Sequence, residues 1–412
     1  MAQHYLARQP ILDETNTIHA YEILFRQSQG MNRMITDHDA VNELLIRNTL
    51  GTYTREDLLG THLGFINVDH TFFLRNYGTL FPKKNFIFEI LGSTQVTPEL
   101  IACIASLHSE GHVFALSEFV FEEWYIKNFS PLFRYVSYIK VDLRKNSMQR
   151  IKLLAANFQK KLGCKMVAEK VESIQEFAAC KQIGFHYFQG YFFAQPQLLS
   201  KETVDPSLTK VLNIIAMLNS DDTDTGAIVK IFEQSPELSL SLVNFMNSGA
   251  FGLRQAIRSI QHALTLLGRK KLVSWLTVIA CSATPNGKRH PALITALVRA
   301  KIMESLMEMY EDGKYRNTAD SAFFVGMLSL VDVILNVPKA QVLENIKAHE
   351  KICQAVLQGE GTLGLMLQAI IFYEKEDFAA ADGIMENLLI PAKALNEIVL
   401  KSYIWADAIL AS

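Results

Sequence analysis

The sequence predicts an α/β domain with parallel strands followed by an all-α domain. Three observations carry this. Short apolar runs at 64–68, 85–90, 112–116, 138–142 and 165–169 alternate with helical segments through the first half of the chain. Such alternation argues for parallel strands joined by crossover helices. Polar residues stand at the C-terminal ends of several runs (Asn67, Glu89, Lys140, Glu169), the face at which a TIM-like barrel builds its site. A doubly wound open sheet would alternate in the same way. Third, strand signals stop after the segment 195–208, which holds Pro196, Pro206 and the polar run Ser200-Lys201-Glu202-Thr203. The expected boundary is near residue 203, giving domains 1–203 and 204–412.

Each strand run is brief and rich in β-branched or aromatic residues, as in Asn85-Phe86-Ile87-Phe88-Glu89-Ile90 and Lys165-Met166-Val167-Ala168-Glu169. The segment 96–111 carries Leu100, Ile101, Ile104 and Leu107 at helical spacing. Thr97-Pro98-Glu99 supplies an N-cap and a proline at the first helical position. Beyond the boundary, 211–218, 225–234, 238–246, 259–267, 271–283, 292–310, 322–335, 339–349, 351–358 and 365–373 all show helical periodicity.

With 412 residues, 49% of them hydrophobic and 20% charged, the chain is long enough for two or three cores and is not disordered by composition. Forty basic against 42 acidic residues leave a formal charge of −2. No whole-chain attraction to nucleic acid or anionic lipid follows, and the short runs Arg269-Lys270-Lys271 and Lys288-Arg289-His290 read as solvated helix ends. Nucleic acid and membrane are therefore not expected partners. The five cysteines (103, 164, 180, 281, 353) form no CxxC pair and sit among apolar neighbours, as free thiols of a reducing compartment do. The first ten residues hold no apolar leader, and 272–283 is too short for a bilayer span. A cytoplasmic location is expected.

Glu22, Asn67, Glu89 and Glu169 are hard oxygen donors of the kind Mg²⁺ or Mn²⁺ prefers. Lys140 and Asp142, two apart on one strand, share a face. In order along the chain, Tyr21-Glu22-Ile23-Leu24-Phe25-Arg26, Phe88-Glu89-Ile90, Val167-Ala168-Glu169-Lys170-Val171-Glu172 and Tyr187-Phe188-Gln189-Gly190-Tyr191 resemble the EAL family of cyclic di-GMP phosphodiesterases. The resemblance spans residues 5 to 196 and implies an EAL-type modified TIM-like barrel. It implies metal ligands at Glu22, Asn67 and Glu89, a general base at Glu169 assisted by Lys140, and nucleotide contacts at Gln9, Arg26 and Gln189. The adjacent aspartates of that family are replaced by Ser117-Glu118, its second glutamate after the strand is Gly92, and Lys170 stands where glycine is usual. Serine is a weak neutral ligand, so a two-metal site is expected to be incomplete.

In the second half, Asn244-Phe245-Met246-Asn247-Ser248-Gly249-Ala250-Phe251-Gly252 and 257–268 resemble the HDOD family, helical relatives of metal-dependent HD phosphohydrolases. The place of the metal-binding His-Asp pair reads Ser329-Leu330, and His290 matches an upstream family histidine without its partners. The order of domains resembles bacterial EAL–HDOD signal-transduction proteins. It implies an adaptor that docks other signalling proteins through the helical domain, with cyclic di-GMP as the candidate small ligand and no cofactor expected. The alternative is a weakly active cyclic di-GMP phosphodiesterase or receptor, in which Glu118 restores a Mg²⁺ or Mn²⁺ site.

Overall fold

The computed structural model describes residues 3–28, 58–83, 85–194, 206–219, 260–282, 291–310 and 316–411, with isolated positions 46, 226, 229, 230 and 232. It divides into two compact units, Met1–Gln195 and Pro196–Ser412. The expected boundary near residue 203 lies outside the described residues, as do His290, Ser259 and the stretch 244–252.

In the first unit eight strands close into a barrel in chain order: β1 (Gln3–Asp13), β2 (Ile18–Ser28), β3 (Leu63–Val68), β4 (Phe86–Ile90), β5 (Val113–Phe119), β6 (Val136–Asp142), β7 (Lys165–Glu169) and β8 (Tyr187–Gln189). The barrel, not the open sheet, is the outcome. Strands β2 to β8 pair in parallel, whereas β1 is antiparallel to both of its neighbours. The five runs read as parallel strands from sequence are β3 to β7, and they pair in parallel; β1 lies outside those runs, and the reason for its direction is a tight turn. Asp13 Oδ1 accepts from the N–H groups of Thr15 (2.8 Å) and Thr17 (2.9 Å), and Asn16 adopts φ 61°. So short a connection joins only antiparallel strands; a parallel pair needs a crossover. The register it fixes sets Gln9 opposite Glu22 and Tyr5 opposite Arg26.

The crossover helix Pro98–Ser109 begins where its cap predicts: Thr97 Oγ1 accepts from Leu100 N–H at 3.2 Å. Leu100, Ile104 and Leu107 are its buried face. Inside the barrel, Ile11, Ala20, Phe65, Ile87, Ala115, Tyr138 and Val167 form one apolar layer, with Tyr187 packed against it. That layer is the floor of the site.

The second unit is helical. Its central helix, Pro291–Tyr310, is buried on most sides. Gly326 lets the helix Arg316–Leu328 cross it in backbone contact, since a Cβ there would stand 2.4 Å from Ala300 Cα. The helix Ile260–Ser282 leaves helical geometry at Gly268 (φ 74°), where the sequence places a stop. Among the described residues one segment, Glu350–Glu374, is long and apolar enough to cross a bilayer by composition alone. It is interrupted by left-handed Gly359 and Gly361 (φ 71° and 70°), a break whose freed backbone groups lipid would leave unsatisfied.

Candidate ligand and metal site of the barrel

Side chains alternate faces along a strand, so the residue two places past each floor residue faces the same interior. Past Ala20, Phe65, Ile87, Ala115, Tyr138, Val167 and Tyr187 come Glu22, Asn67, Glu89, Ser117, Lys140, Glu169 and Gln189. On antiparallel β1 the step runs backwards, from Ile11 to Gln9. One polar residue from every strand thus forms a ring above the floor. The site residues expected from sequence are brought together, except that the Arg26 side chain lies outside the described residues.

Lys140 holds the centre. Its buried ammonium donates to Glu22 Oε2 and to both Glu89 oxygens, each at 2.8 Å, and lies 3.2 Å from Glu169 Oε1. An ammonium has three donors, and carboxylates occupy all of them. The same-face relation to Asp142 holds, but Asp142 is turned to another partner: its Oδ2 accepts from Lys170 Nζ at 2.7 Å and its Oδ1 from Arg144 N–H at 2.7 Å.

Three buried carboxylates against one ammonium cannot all ionise. Burial pushes the Lys140 amine down, but Glu22, Glu89 and Glu169 reverse this and hold it well above its usual range. Burial pushes Glu22 up, and Lys140 with hydrogen bonds from Gln189 and Asn67 outweighs it, so this carboxyl ends low. Burial dominates at Glu89, where Glu22 and Glu169 add repulsion and the carboxyl rises to about 8 despite Lys140. Glu169 is raised by burial too. Glu89 and Glu169 are thus the carboxyls that favour their protonated forms.

A pH dependence follows. Folded Glu89 keeps its proton to about pH 8, while the unfolded chain releases it near the ordinary 4.5. Between these values the folded state binds more protons, so stability falls as pH rises, by up to about 1.4 kcal/mol per unit, and levels off above. In urea unfolding, Glu89→Gln should gain on the wild type steadily from about pH 5 to about pH 8. A difference independent of pH would contradict a protonated Glu89.

Around this core, Asn67 Nδ2 donates to Glu22 Oε1 at 2.7 Å, and Gln189 Nε2 reaches Gln9 Oε1 and Glu22 Oε2 at 2.6 Å each. Asn67 Oδ1 and Gln189 Oε1 are buried without a hydrogen-bond partner. Two orphaned acceptors beside carboxylates suit a cation or a ligand's donor groups. Gly190, next to Gln189, is required by space: a Cβ would stand 2.1 Å from Val171 O.

The position of the missing aspartates is remodelled. Ser117 Oγ lies 3.5 Å from Glu169 Oε1, and Glu118 N–H donates to Glu169 Oε2 at 3.2 Å. The Glu118 carboxylate turns the other way and accepts from Lys145 Nζ at 2.6 Å, with 41% of its side chain exposed. Glu118 and Lys170 both hold left-handed backbone (φ 54° and 60°), strained for side chains of this length. Beside Gly92, Tyr125 fills the space where a longer side chain would stand: a Cβ on Gly92 would meet Tyr125 Cε2 at 3.2 Å. The Tyr125 hydroxyl donates to Ser117 O at 3.3 Å.

Do these residues fit a metal? Glu22, Glu89 and Glu169 bring carboxylate oxygens within 4.8 Å of one another, and Asn67 Oδ1 is a spare neutral donor. This set fits one Mg²⁺ or Mn²⁺, which would polarise a phosphate oxygen, provided that the Glu89 proton leaves and Lys140 shifts. It does not fit a second ion, because Ser117 is neutral and Glu118 faces away.

The EAL domain family matches residues 68–196, and the HDOD domain family matches residues 206–359. The chain carries an EAL domain followed by an HDOD domain. Gln9 and Glu22, on β1 and β2, precede the matched EAL residues. Along nearly its full length the EAL–HDOD chain is similar to Bacillus subtilis YuxH, 26% identical over 386 residues (91% of each chain). It is also similar to the cyclic di-GMP phosphodiesterase CdgJ of Vibrio cholerae, 25% identical over 408 residues (98% of this chain, 93% of CdgJ). Among solved structures, an EAL domain protein of Listeria monocytogenes is 19% identical over 46% of this chain and 87% of its own, with a TM-score of 0.36.

In the HDOD domain Ser329 adjoins a buried ion pair. Buried Arg299 donates to Glu374 Oε1 (2.8 Å) and Oε2 (2.6 Å) and to Ser329 Oγ (3.1 Å). Ser329 Oγ in turn donates to Gly326 O at 2.7 Å. Sequence reasoning missed Arg299, Tyr125 and Lys145, whose contacts carry no motif.

Proposed function

We propose that the protein is a signal-transduction adaptor in cyclic di-GMP signalling, with a catalytically degenerate EAL barrel and an HDOD domain that docks other signalling proteins. The observation that carries this reading is the turn of Glu118 towards Lys145. It withdraws the one carboxylate that could replace the lost aspartate pair. Lys140 then offsets part of the remaining carboxylate charge, a role a second divalent ion would otherwise fill. Within this reading Glu169 and Lys140 are a vestigial base and its helper, and Gln9, Arg26 and Gln189 correspond to the family's nucleotide contacts.

A second reading, a weak phosphodiesterase or a cyclic di-GMP receptor, is favoured by the orphaned acceptors of Asn67 and Gln189 and by the similarity to CdgJ. Calorimetric titration of cyclic di-GMP, with and without Mn²⁺, separates the two through Arg26. As a phosphate clamp Arg26 would contribute about 1.5–3 kcal/mol, so Arg26→Ala would weaken binding roughly ten- to hundredfold. The adaptor reading expects Arg26→Ala to lower the melting temperature and leave the titration unchanged. Tight metal-independent binding abolished by Arg26→Ala would make the protein a receptor.

A further inference from the structure

The rim of the barrel holds a second ammonium, outside the ring centred on Lys140. Lys170 follows Glu169 at the end of β7, and its Nζ donates to Asp142 Oδ2 at 2.7 Å. The Asp142 side chain is 0% exposed and that of Lys170 is 54% exposed, so the lysine reaches from solvent onto a buried carboxylate. The other oxygen, Oδ1, is taken by the N–H groups of Arg144 (2.7 Å) and Lys145 (3.3 Å). Asp142 lies opposite Glu169 in the register of β6 and β7, which makes the two carboxylates neighbours on the interior face. One or two carboxylates completed by water are a usual way of holding Mg²⁺. Here an ammonium stands on the oxygen that such an ion would need.

This placement is held at a backbone cost. Lys170 adopts φ 60°, a conformation in which glycine is unstrained and lysine is not. The surrounding chain fixes it: Leu143 N–H donates to Glu169 O at 3.2 Å, Val171 N–H to Gln189 O at 2.9 Å, and Arg144 Nη2 to Lys170 O at 3.2 Å. Glycine would serve this backbone better. What lysine adds is a positive charge on Asp142. Glu118 repeats the combination, with left-handed backbone and its carboxylate bound by Lys145. The carboxylates of Glu118 and Asp142, both beside Glu169, are thus each paired with a lysine of the rim.

We propose that Lys170 is a tethered cation that excludes a second divalent ion from the barrel site by occupying Asp142. The neutral Ser117 and the averted Glu118 are then not the sole reasons that the site fits one ion. The inference rests on the reading of the barrel as catalytically degenerate and names a residue that enforces it.

The test titrates Mn²⁺ into the full chain by calorimetry and reads melting temperatures in EDTA and in excess Mn²⁺. Lys170→Gly suits the backbone and removes the charge. Lys170→Asn is a second neutral variant, since asparagine also tolerates left-handed backbone. Each should take up one Mn²⁺ more than the wild type, at least tenfold more tightly than any further ion the wild type admits. Each should also gain more in melting temperature from Mn²⁺ than the wild type does. Lys170→Arg, which keeps the charge, should match the wild type, as should Lys83→Ala, at an exposed barrel lysine. Adding Asp142→Asn to Lys170→Gly should abolish the gain. A merely structural lysine would shift the melting temperature in EDTA and leave Mn²⁺ binding where it is. Mn²⁺ binding unchanged in both neutral variants, or a gain that survives Asp142→Asn, would overturn the inference and leave the degenerate reading standing. Two ions on the wild type would overturn both.

Discussion

Lys140→Met should destabilise the barrel by about 3–5 kcal/mol near neutral pH, the usual cost of removing one partner from a buried charge cluster. The variant leaves Glu22, Glu89 and Glu169 facing one another with no cation between them. Their only relief is to take up protons, so the loss should shrink in acid and deepen in alkali. Urea unfolding at two or three pH values reads this directly. Mn²⁺ should then do for the variant what lysine does for the wild type. An ion that binds the folded state alone stabilises it by about 2.7 kcal/mol at a hundred times its dissociation constant. Strong Mn²⁺ stabilisation of Lys140→Met with little of the wild type is the expected pattern. A loss below about 1 kcal/mol, the range of an exposed ion pair, would show that Lys140 is not the keystone of the cluster.

The barrel was legible because its strands obey a simple period. Asn67, Glu89, Lys140 and Glu169 each close an apolar run, and the two-residue alternation places them on the layer above Phe65, Ile87, Tyr138 and Val167. The antiparallel β1 was not legible: strand-like periodicity gives no direction, and the deciding interaction is a turn built by the Asp13 side chain. Nor could the sequence show where Glu118 points. Its spacing from Ser117 suggested a displaced ligand, whereas the choice is made by Lys145, 27 residues further on, and by a left-handed backbone that swings the side chain outward. The same limit hid Arg299 and Glu374, 75 residues apart, which meet only where the helix Pro291–Tyr310 packs against the helix Gly361–Glu374. Tyr125 was invisible for another reason. It occupies space left by an absent side chain, Gly92, and such a substitution announces a vacancy without naming what fills it.

Restoring acid at the remodelled corner should raise metal affinity more than any other change in the barrel. Ser117→Asp with Glu118→Asp supplies two carboxylates beside Glu169, and aspartate tolerates the left-handed backbone of position 118 better than glutamate. Two charge-assisted ligands of about 1.5–3 kcal/mol each should tighten Mn²⁺ by roughly a hundredfold or more in calorimetric titration. No gain would mean that Lys140 and the Tyr125 packing, and not the missing acids alone, keep metal out.

The most direct measurement is turnover. Purified full-length protein is incubated with cyclic di-GMP and Mn²⁺, and linear dinucleotide is followed by chromatography. With one metal position at most, and Lys140 already paired with its ligands, product should form at rates several powers of ten below the roughly 1–10³ per second of ordinary enzymes, each factor of ten costing about 1.36 kcal/mol of transition-state stabilisation. Linear product formed within that ordinary range, and lost in Glu169→Gln, would show that the ring of Glu22, Asn67, Glu89, Lys140 and Glu169 is a working active site and that the barrel is not degenerate.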